Sequence, residues 1–226
     1  MKRLGTGCSN LDRLLRGGFP LNQISLVYGE ASTGKTVLCM QCAVDSAFRK
    51  LKVFYVDSDQ SFSPHRLESM LVGPEVAERI VVFRPEDFRD QVNITESLDG
   101  LLTRTPSLLV LDSVTGLYRA GLGGRRDVFA QNRELNRELA SLASLAKRYP
   151  LAVLLTGEVH GHPKMGDWSV EPVATRALQH WSEVILRLRR TVRLEVREAV
   201  LEKMDGRETV GPKALFRVTE TGIEDS

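Results

Sequence analysis

The sequence predicts an α/β fold: a mostly parallel sheet with helices on both faces and a C-terminal antiparallel extension. Up to about residue 155, short apolar segments alternate with longer amphipathic stretches. Nearly continuous apolar strands are typical of a parallel sheet covered on both faces. After Trp181, apolar and charged residues alternate, which favours half-exposed antiparallel strands.

The apolar segments predict the parallel strands, and the amphipathic stretches predict the helices between them. The strands are predicted at residues 24–28, 53–56, 80–83, 107–111 and 151–155. The helices are predicted at residues 35–49, 64–71, 86–102 and 127–149. In the last helix, apolar residues recur at helical spacing and define the face expected to be buried. They are Val128, Leu135, Leu139, Leu142, Ala146 and Tyr149.

The C-terminal part of the chain shows a period of two. Its apolar positions are Leu186, Leu188, Val192, Leu194 and Val196, with arginine or glutamate between most of them. We interpret this pattern as antiparallel strand. Residues 214–218 predict another strand, after a turn at Asp205 and Gly206.

Size and composition indicate one domain over residues 1–226. The chain has 226 residues, 42% of them hydrophobic, which is enough for a proper core. No apolar run approaches the ~20 residues of a membrane span, so we expect no membrane partner. Three cysteines, an odd number, argue against a secreted disulfide framework. We expect a reduced, cytoplasmic protein.

The formal net charge of +2 hides an uneven distribution. Segments 119–148 and 187–197 are basic, and segment 74–100 is acidic. This asymmetry permits an anionic partner on one side of the molecule. Solvated faces are the alternative, and composition does not decide between them.

The clearest motif lies between the first predicted strand and the first predicted helix. Residues 29–36 match G-x-x-x-x-G-K-[ST] in full and consist of Gly29, Glu30, Ala31, Ser32, Thr33, Gly34, Lys35 and Thr36. Such a loop turns successive backbone N–H groups toward phosphate oxygens at a helix N-terminus. Lys35 would reach the β- and γ-phosphates, and the Thr36 hydroxyl would ligate Mg²⁺. The motif predicts a P-loop ATPase with ATP and Mg²⁺ as cofactors.

A carboxylate is expected at the end of another strand. Asp112 directly follows the apolar segment 107–111, which puts it at the carboxyl edge of the sheet, where ligands of open α/β folds bind. Alone, an Asp in this position fits a simple strand-terminating turn. Together with the phosphate loop, it predicts a residue that holds Mg²⁺ through water.

Several segments then resemble one group of proteins. Residues 5–19 (GTGCSNLDRLLRGGF) resemble the lead-in of the RecA-type ATPase core, shared by recombinases and KaiC-like proteins. Residues 55–67 (YVDSDQSFSPHRL) and 111–119 (LDSVTGLYR) are similar to archaeal RadA recombinases. Residues 179–182 (QHWS) and 216–224 (FRVTETGIE) resemble the RadB-like group of short RadA paralogues. The resemblance covers essentially the whole chain and implies a RecA-like core.

The resemblance implies catalytic roles for Lys35, Asp59 and Glu158. Asp59 takes the place of the usual Glu that activates water, and it is one methylene shorter. Because misplacement by ~1 Å can cost ~100-fold in rate, and Glu158 replaces a neutral amide that senses the γ-phosphate, we expect weak ATP hydrolysis. A helix-capping role for Asp59, ahead of Ser61 and Pro64, is the alternative.

The resemblance also implies DNA contacts from two loops, which follow the Asp112 strand and the strand at 151–155. The candidates are Arg119, Arg125, Arg126, Lys164 and Trp168. The arginines and the lysine would neutralise phosphates, and the tryptophan would stack on bases. A solvated loop tip is the alternative for the arginine pair, and packing is the alternative for Trp168.

The function that these features favour is an ATP-binding recombinase paralogue that binds single-stranded DNA and assists recombination and repair. A RadA-type recombinase is a candidate partner. Asp12 is close to the first residue, so we expect neither the N-terminal DNA-binding domain nor the Phe-containing linker of full-length RadA proteins, and the resemblance does not extend to filament formation by that route. The alternatives are a KaiC-like regulatory ATPase without DNA and a non-hydrolysing, nucleotide-stabilised adaptor.

Overall fold

A ten-stranded sheet forms the centre of the molecule. The computed structural model describes residues 2–71, 73–122, 128–164 and 167–226, and gives only the backbone of residues 122, 160–164 and 167–171. The described strands are β1 (Arg3–Leu4), β2 (Phe19–Pro20), β3 (Gln23–Gly29), β4 (Lys52–Asp57), β5 (Ile80–Phe83), β6 (Ser107–Asp112), β7 (Leu151–Gly157), β8 (Val159–Lys164), β9 (Asp167–Pro172), β10 (Val184–Arg190), β11 (Val196–Met204), β12 (Arg207–Glu208), β13 (Lys213–Thr219) and β14 (Gly222–Asp225). The described helices are α1 (Ser9–Leu14), α2 (Lys35–Phe48), α3 (Pro64–Met70), α4 (Pro74–Ala77), α5 (Phe88–Ser97), α6 (Gly116–Leu122), α7 (Val128–Arg148) and α8 (Thr175–Trp181).

The strand order explains where a site can form. The sheet runs β14-β13-β11-β10-β3-β7-β6-β4-β5, with β12 paired to β11. From β10 to β5 the neighbours are parallel, whereas β11, β13 and β14 pair antiparallel. The predicted mostly parallel sheet with an antiparallel C-terminal extension is therefore confirmed. The carboxyl ends of β3, β4, β6 and β7 meet at one edge.

Both faces of the sheet are covered by helices. Alternate strand residues point to opposite faces, so Val27 belongs to the core beneath α2 while Leu26 belongs to the core beneath α5 and α7. Helix α7 buries Leu135, Leu139 and Leu142, as the apolar stripe predicts. Val128 starts this helix but is 50% exposed, so the prediction that it belongs to the buried face is wrong.

The predicted helix at residues 86–102 is shorter in the structure. Helix α5 spans Phe88–Ser97, followed by one 3₁₀ turn at Leu98–Gly100. Asp87 is the N-cap of α5, and its side chain accepts a hydrogen bond from the Asp90 N–H at 2.8 Å. This side-chain cap satisfies a free N–H of the first turn and fixes where the helix begins.

The predicted strands over positions 186–196 are separated by a turn that the alternating pattern does not mark. Strand β10 ends at Arg190 and β11 begins at Val196, with a turn between them. Val192 and Leu194 lie in that turn and are 102% and 90% exposed. The period of two continued in the sequence after the strand had ended. Moreover, β10 pairs parallel with β3, so it is antiparallel only toward β11.

The predicted turn at Asp205 and Gly206 is confirmed, as is a strand covering residues 214–218. Within residues 2–71, 73–122, 128–164 and 167–226, no helix combines the length and apolar character needed to cross a bilayer. Cys8, Cys39 and Cys42 are buried free thiols.

Candidate nucleotide-binding site

The phosphate loop connects β3 to α2, as predicted. Gly34 directly precedes the helix with φ of 99°, a conformation that favours glycine. A Cβ on Gly34 would lie 2.9 Å from Val218 Cγ2, and a Cβ on Gly29 would lie 2.3 Å from the Leu188 carbonyl oxygen. The loop therefore packs closely on β10 and β13 of the C-terminal extension, and both glycines are needed for that approach.

Lys35 folds back over the loop. Its Nζ donates hydrogen bonds to the carbonyl oxygens of Gly29 at 2.8 Å and Glu30 at 3.0 Å. Burial lowers the pKa of Lys35, while the nearby carboxylates of Asp112, Asp59 and Glu158 oppose that shift. The cation is therefore held among three acidic groups at the carboxyl edge of the sheet, where a triphosphate would replace the carbonyls as its partner.

Asp112 lies at the end of β6, with only 2% of its surface exposed. The Tyr55 hydroxyl donates to its Oδ2 at 2.8 Å, and the Thr156 hydroxyl donates to its Oδ1 at 2.5 Å. Two neutral donors thus fix the direction of the carboxylate. Thr36 is half-buried at the start of α2, with its hydroxyl 3.4 Å from the Ser61 hydroxyl.

These residues suit a hydrated Mg²⁺ ion. Mg²⁺ keeps several waters and binds through few protein oxygens, and a hydroxyl with a strand-end carboxylate provides that set. No cluster of three or more His, Cys, Asp or Glu suited to a metal is found in the part of the chain that the structure describes. The donor set therefore fits a metal held chiefly by phosphate and water.

Asp59 is held by the segment that follows β6. Ser113 Oγ donates to Asp59 Oδ1 at 3.0 Å and accepts a hydrogen bond from the Gly116 N–H, also at 3.0 Å. Burial raises the pKa of Asp59, helped by the charges of Asp112 and Glu158 and opposed by the Ser113 hydrogen bond. The cap of α3 is Ser63, whose side chain accepts from the Arg66 N–H, so the capping alternative for Asp59 is wrong.

Asp57 orders the loop that carries Asp59. It is buried, and its Oδ1 accepts hydrogen bonds from the N–H groups of Ser61 at 2.9 Å and Phe62 at 3.1 Å. Its Oδ2 lies 3.4 Å from Arg84 Nε. The sequence prediction overlooked Asp57, although Asp57 follows an apolar segment directly, as Asp112 does. In the structure, Asp57 pairs with Asp112 across the neighbouring strands β4 and β6.

Glu158 follows β7 and faces a cation. Arg119 Nη1 lies 3.0 Å from Glu158 Oε2, and both side chains are partly exposed. Arg119 was predicted to lie in a glycine-rich loop, but the structure places it on helix α6. The prediction of a loop at Arg119 is therefore wrong. The positive charge of Arg119 is already partly balanced by Glu158.

The other DNA candidates are only partly within the described residues. Arg125 and Arg126 lie outside them. Lys164 ends β8 and Trp168 lies in β9, so this segment is a two-stranded hairpin rather than the predicted loop, and its side chains lie outside the described atoms. Helix α6 follows β6 and the hairpin follows β7, so both leave the edge of the sheet that carries Asp112.

The comparisons with known proteins agree with this architecture. The Rad51 family model matches residues 1–226. The DNA repair and recombination protein RadB of Thermococcus kodakarensis is 37% identical over 227 residues, covering 98% of this chain and 99% of the relative. RadB of Pyrococcus furiosus is 35% identical, covering 98% and 95%.

A solved structure supports the same assignment. The crystal structure of a RadB recombinase superimposes with a TM-score of 0.81 at 34% identity, covering 99% of both chains. This likeness confirms the RecA-like fold predicted from the sequence. The chain belongs to the Rad51 family of recombinases and resembles its RadB members.

Proposed function

We propose that this chain is a recombinase paralogue that binds ATP with Mg²⁺, binds single-stranded DNA and assists homologous recombination and DNA repair. In this proposal, residues 1–226 act as one ATPase domain. The observation that carries it is the convergence of Lys35, Asp59, Asp112 and Glu158 at one sheet edge, directly beside a complete phosphate loop.

Each residue of the site has a proposed role. The amides of residues 29–36 cradle the phosphates, and Lys35 neutralises the β- and γ-phosphates. Thr36 ligates Mg²⁺, and Asp112 holds it through water. Bound Mg²⁺ would neutralise charge that builds up on the transferring phosphoryl group.

Asp59 is the proposed base for the attacking water. Burial raises its pKa, which makes the carboxylate a stronger base toward the water proton. However, Ser113 already donates to one of its oxygens, and the side chain is shorter than the glutamate usual in similar ATPases. We therefore propose slow ATP hydrolysis. In addition, Glu158 forms an ion pair with Arg119 and does not provide the neutral amide that senses the γ-phosphate in similar ATPases.

DNA binding is proposed for the surface formed by α6 and the hairpin that follows Glu158. Arg119, Arg125, Arg126 and Lys164 would neutralise phosphates, and Trp168 would offer a stacking surface. The Arg119–Glu158 pair joins this surface to the nucleotide site. Through it, bound nucleotide and bound DNA could influence each other, and a RadA-type recombinase is the proposed protein partner.

One experiment tests the proposal as a whole. Binding of a fluorescent ATP analogue with Mg²⁺, and steady-state turnover with and without single-stranded DNA, are measured for the wild type, Lys35→Ala and Asp59→Asn. We expect Lys35→Ala to lose nucleotide binding and Asp59→Asn to keep binding but lose turnover. Absence of nucleotide binding by the wild type would overturn the proposal, and strong DNA-stimulated turnover by Asp59→Asn would overturn the role of Asp59.

DNA binding is tested separately. Arg125→Ala combined with Arg126→Ala should weaken retention on single-stranded DNA and flatten its salt dependence, because fewer phosphates are neutralised. Wild-type protein that shows no salt-dependent retention would favour a regulatory ATPase that works without DNA.

A further inference from the structure

In the phosphate loop, the carbonyl oxygens of residues 29–32 each accept a hydrogen bond from a basic side chain. Lys35 contacts those of Gly29 and Glu30, as described above. Ala31 O accepts a hydrogen bond from Arg190 Nη2 at 2.6 Å, and Ser32 O accepts one from Arg197 Nε at 3.3 Å. Both arginines come from the C-terminal extension, far from the loop in sequence.

The two arginines face each other across neighbouring strands. Arg190 ends β10, Arg197 lies near the start of β11, and the two are paired in the antiparallel register. Like charges directly opposite each other destabilise a sheet, so this pairing needs compensating acceptors. The loop carbonyls supply them. Arg197 is fixed further, because its Nη1 also donates to the carbonyls of Leu194 at 2.5 Å and Val196 at 3.1 Å.

These contacts determine where the loop amides point. In a planar trans peptide, the N–H points roughly opposite to the C=O. Holding Ala31 O toward Arg190 therefore turns the Ser32 N–H away from Arg190, and holding Ser32 O toward Arg197 does the same for the Thr33 N–H. Those two N–H groups belong to the stretch that cradles phosphate in this kind of loop.

The arginine contacts differ from the lysine contacts in one respect. When Lys35 turns to a triphosphate, it must release the carbonyls of Gly29 and Glu30. Arg190 and Arg197 hold the outer side of the loop and need not move. They can therefore keep the loop in shape in both the empty and the occupied site.

We propose that Arg190 and Arg197 are positioning residues for nucleotide binding, which preorganise the amides of Ser32 and Thr33 by holding the neighbouring carbonyls outward. This gives part of the basic segment 187–197 a function that acts through the loop backbone. The inference rests on the proposed nucleotide binding and adds the residues that shape the site.

The test compares Arg190→Ala, Arg197→Ala and the double variant with Arg193→Ala. Arg193 lies in the turn between β10 and β11 and carries the same charge, but within the described part of the chain its side chain contacts no loop carbonyl. Dissociation constants of a fluorescent ATP analogue with Mg²⁺ are measured at low and high salt, together with the melting temperature of the nucleotide-free protein. Arg190→Lys, which keeps the positive charge and one donor nitrogen, is the conservative variant.

We expect each alanine variant to weaken nucleotide binding by about threefold to tenfold, the scale of one ordinary net hydrogen bond. The loss should persist at high salt, Arg190→Lys should recover part of it, and Arg193→Ala should bind like the wild type. If the double variant binds like the wild type, the inference is wrong, even when its melting temperature falls. If Arg193→Ala loses as much as Arg190→Ala and high salt abolishes both losses, general charge accounts for the effect and the inference is also wrong. A wild type that binds no nucleotide would instead contradict the proposed function.

Discussion

At the scale of single residues, Glu138 is a buried carboxyl group outside the nucleotide site. It lies on α7 facing α5, where Gln91 Nε2 is 3.1 Å from each of its oxygens and the Thr95 hydroxyl is 3.3 Å from Oε1. Burial raises its pKa to about 8, against the opposing effect of these donors. Its position could have been predicted, because Glu138 follows Leu135 by three residues on the buried stripe of α7.

Glu138 should make the stability of the protein depend on pH. Because its folded-state pKa exceeds the unfolded value, the native state binds the proton more tightly, and the stability that this gives is lost as pH rises from about 4.5 to about 8. Glu138→Gln removes this loss. Gln91 Oε1 has no hydrogen-bond partner among the described residues, so a flipped Gln91 amide could accept from the new side chain.

We expect the unfolding free energy of Glu138→Gln, relative to wild type, to increase by about 2–4 kcal/mol between pH 5 and pH 9. Urea denaturation at the two pH values measures it. A Glu138→Gln difference that stays constant with pH would contradict the prediction.

At the scale of elements, the start of α6 sets the position of Asp59. A Cβ at Gly116 would lie 1.9 Å from Asp59 Oδ1. Alanine is normally favoured over glycine in a helix by about 1 kcal/mol, but here it would push the carboxylate away. We expect Gly116→Ala to keep nucleotide affinity and to lower turnover by about 100-fold, the scale of a ~1 Å displacement.

The control for Gly116→Ala is Gly100→Ala, because a Cβ at Gly100 meets no atom within 4 Å. Single-turnover hydrolysis and nucleotide titration are measured for both variants. Turnover by Gly116→Ala at the wild-type rate would show that Asp59 is not held as described, or is not the base.

The turn between β10 and β11 shows where sequence periodicity stops being informative. Leu188 is 1% exposed, whereas Val192 and Leu194 continue the same alternation into solvent. Periodicity predicts which side a strand residue faces, but it does not mark where the strand ends. Arg190, the last residue of β10, contacts Ala31 of the phosphate loop, which is remote in sequence. The strands of the parallel sheet were predictable because their apolar runs are bounded on both sides.

Substitutions at the buried position and at the two exposed positions should differ in their effect on stability. Leu188→Ala should destabilise the protein by about 2–5 kcal/mol because it opens a cavity in a packed core. Val192→Ser and Leu194→Ser should each change stability by no more than about 0.5 kcal/mol, as expected of surface positions. Chemical denaturation of the three variants measures this, and a large loss at Leu194 would mean that the turn is covered in solution.

At the scale of the whole molecule, the last strand, β14, contacts both α2, the helix that follows the phosphate loop, and α1 near the start of the chain. Gln41 on α2 donates to Ile223 O on β14 at 2.9 Å, and the Asn10 N–H donates to Asp225 Oδ1 at 2.7 Å. The site residues in the motif could be predicted from local sequence. These contacts could not, because they join segments about two hundred residues apart.

Nucleotide binding should therefore stabilise the C-terminal extension as well as the loop. A ligand present at 100 times its dissociation constant stabilises the native state by about 2.7 kcal/mol. Gly34 lies so close to β13 that a Cβ on it would be 2.9 Å from Val218 Cγ2, so we expect ordering of the loop to extend to β13. Hydrogen exchange with and without ATP and Mg²⁺ measures the effect. We expect the amides of β13 to exchange more slowly when nucleotide is bound, in step with those of α2, and Lys35→Ala to abolish both changes. If only the amides of the loop and α2 exchange more slowly, nucleotide binding does not stabilise the C-terminal extension, and the prediction is wrong.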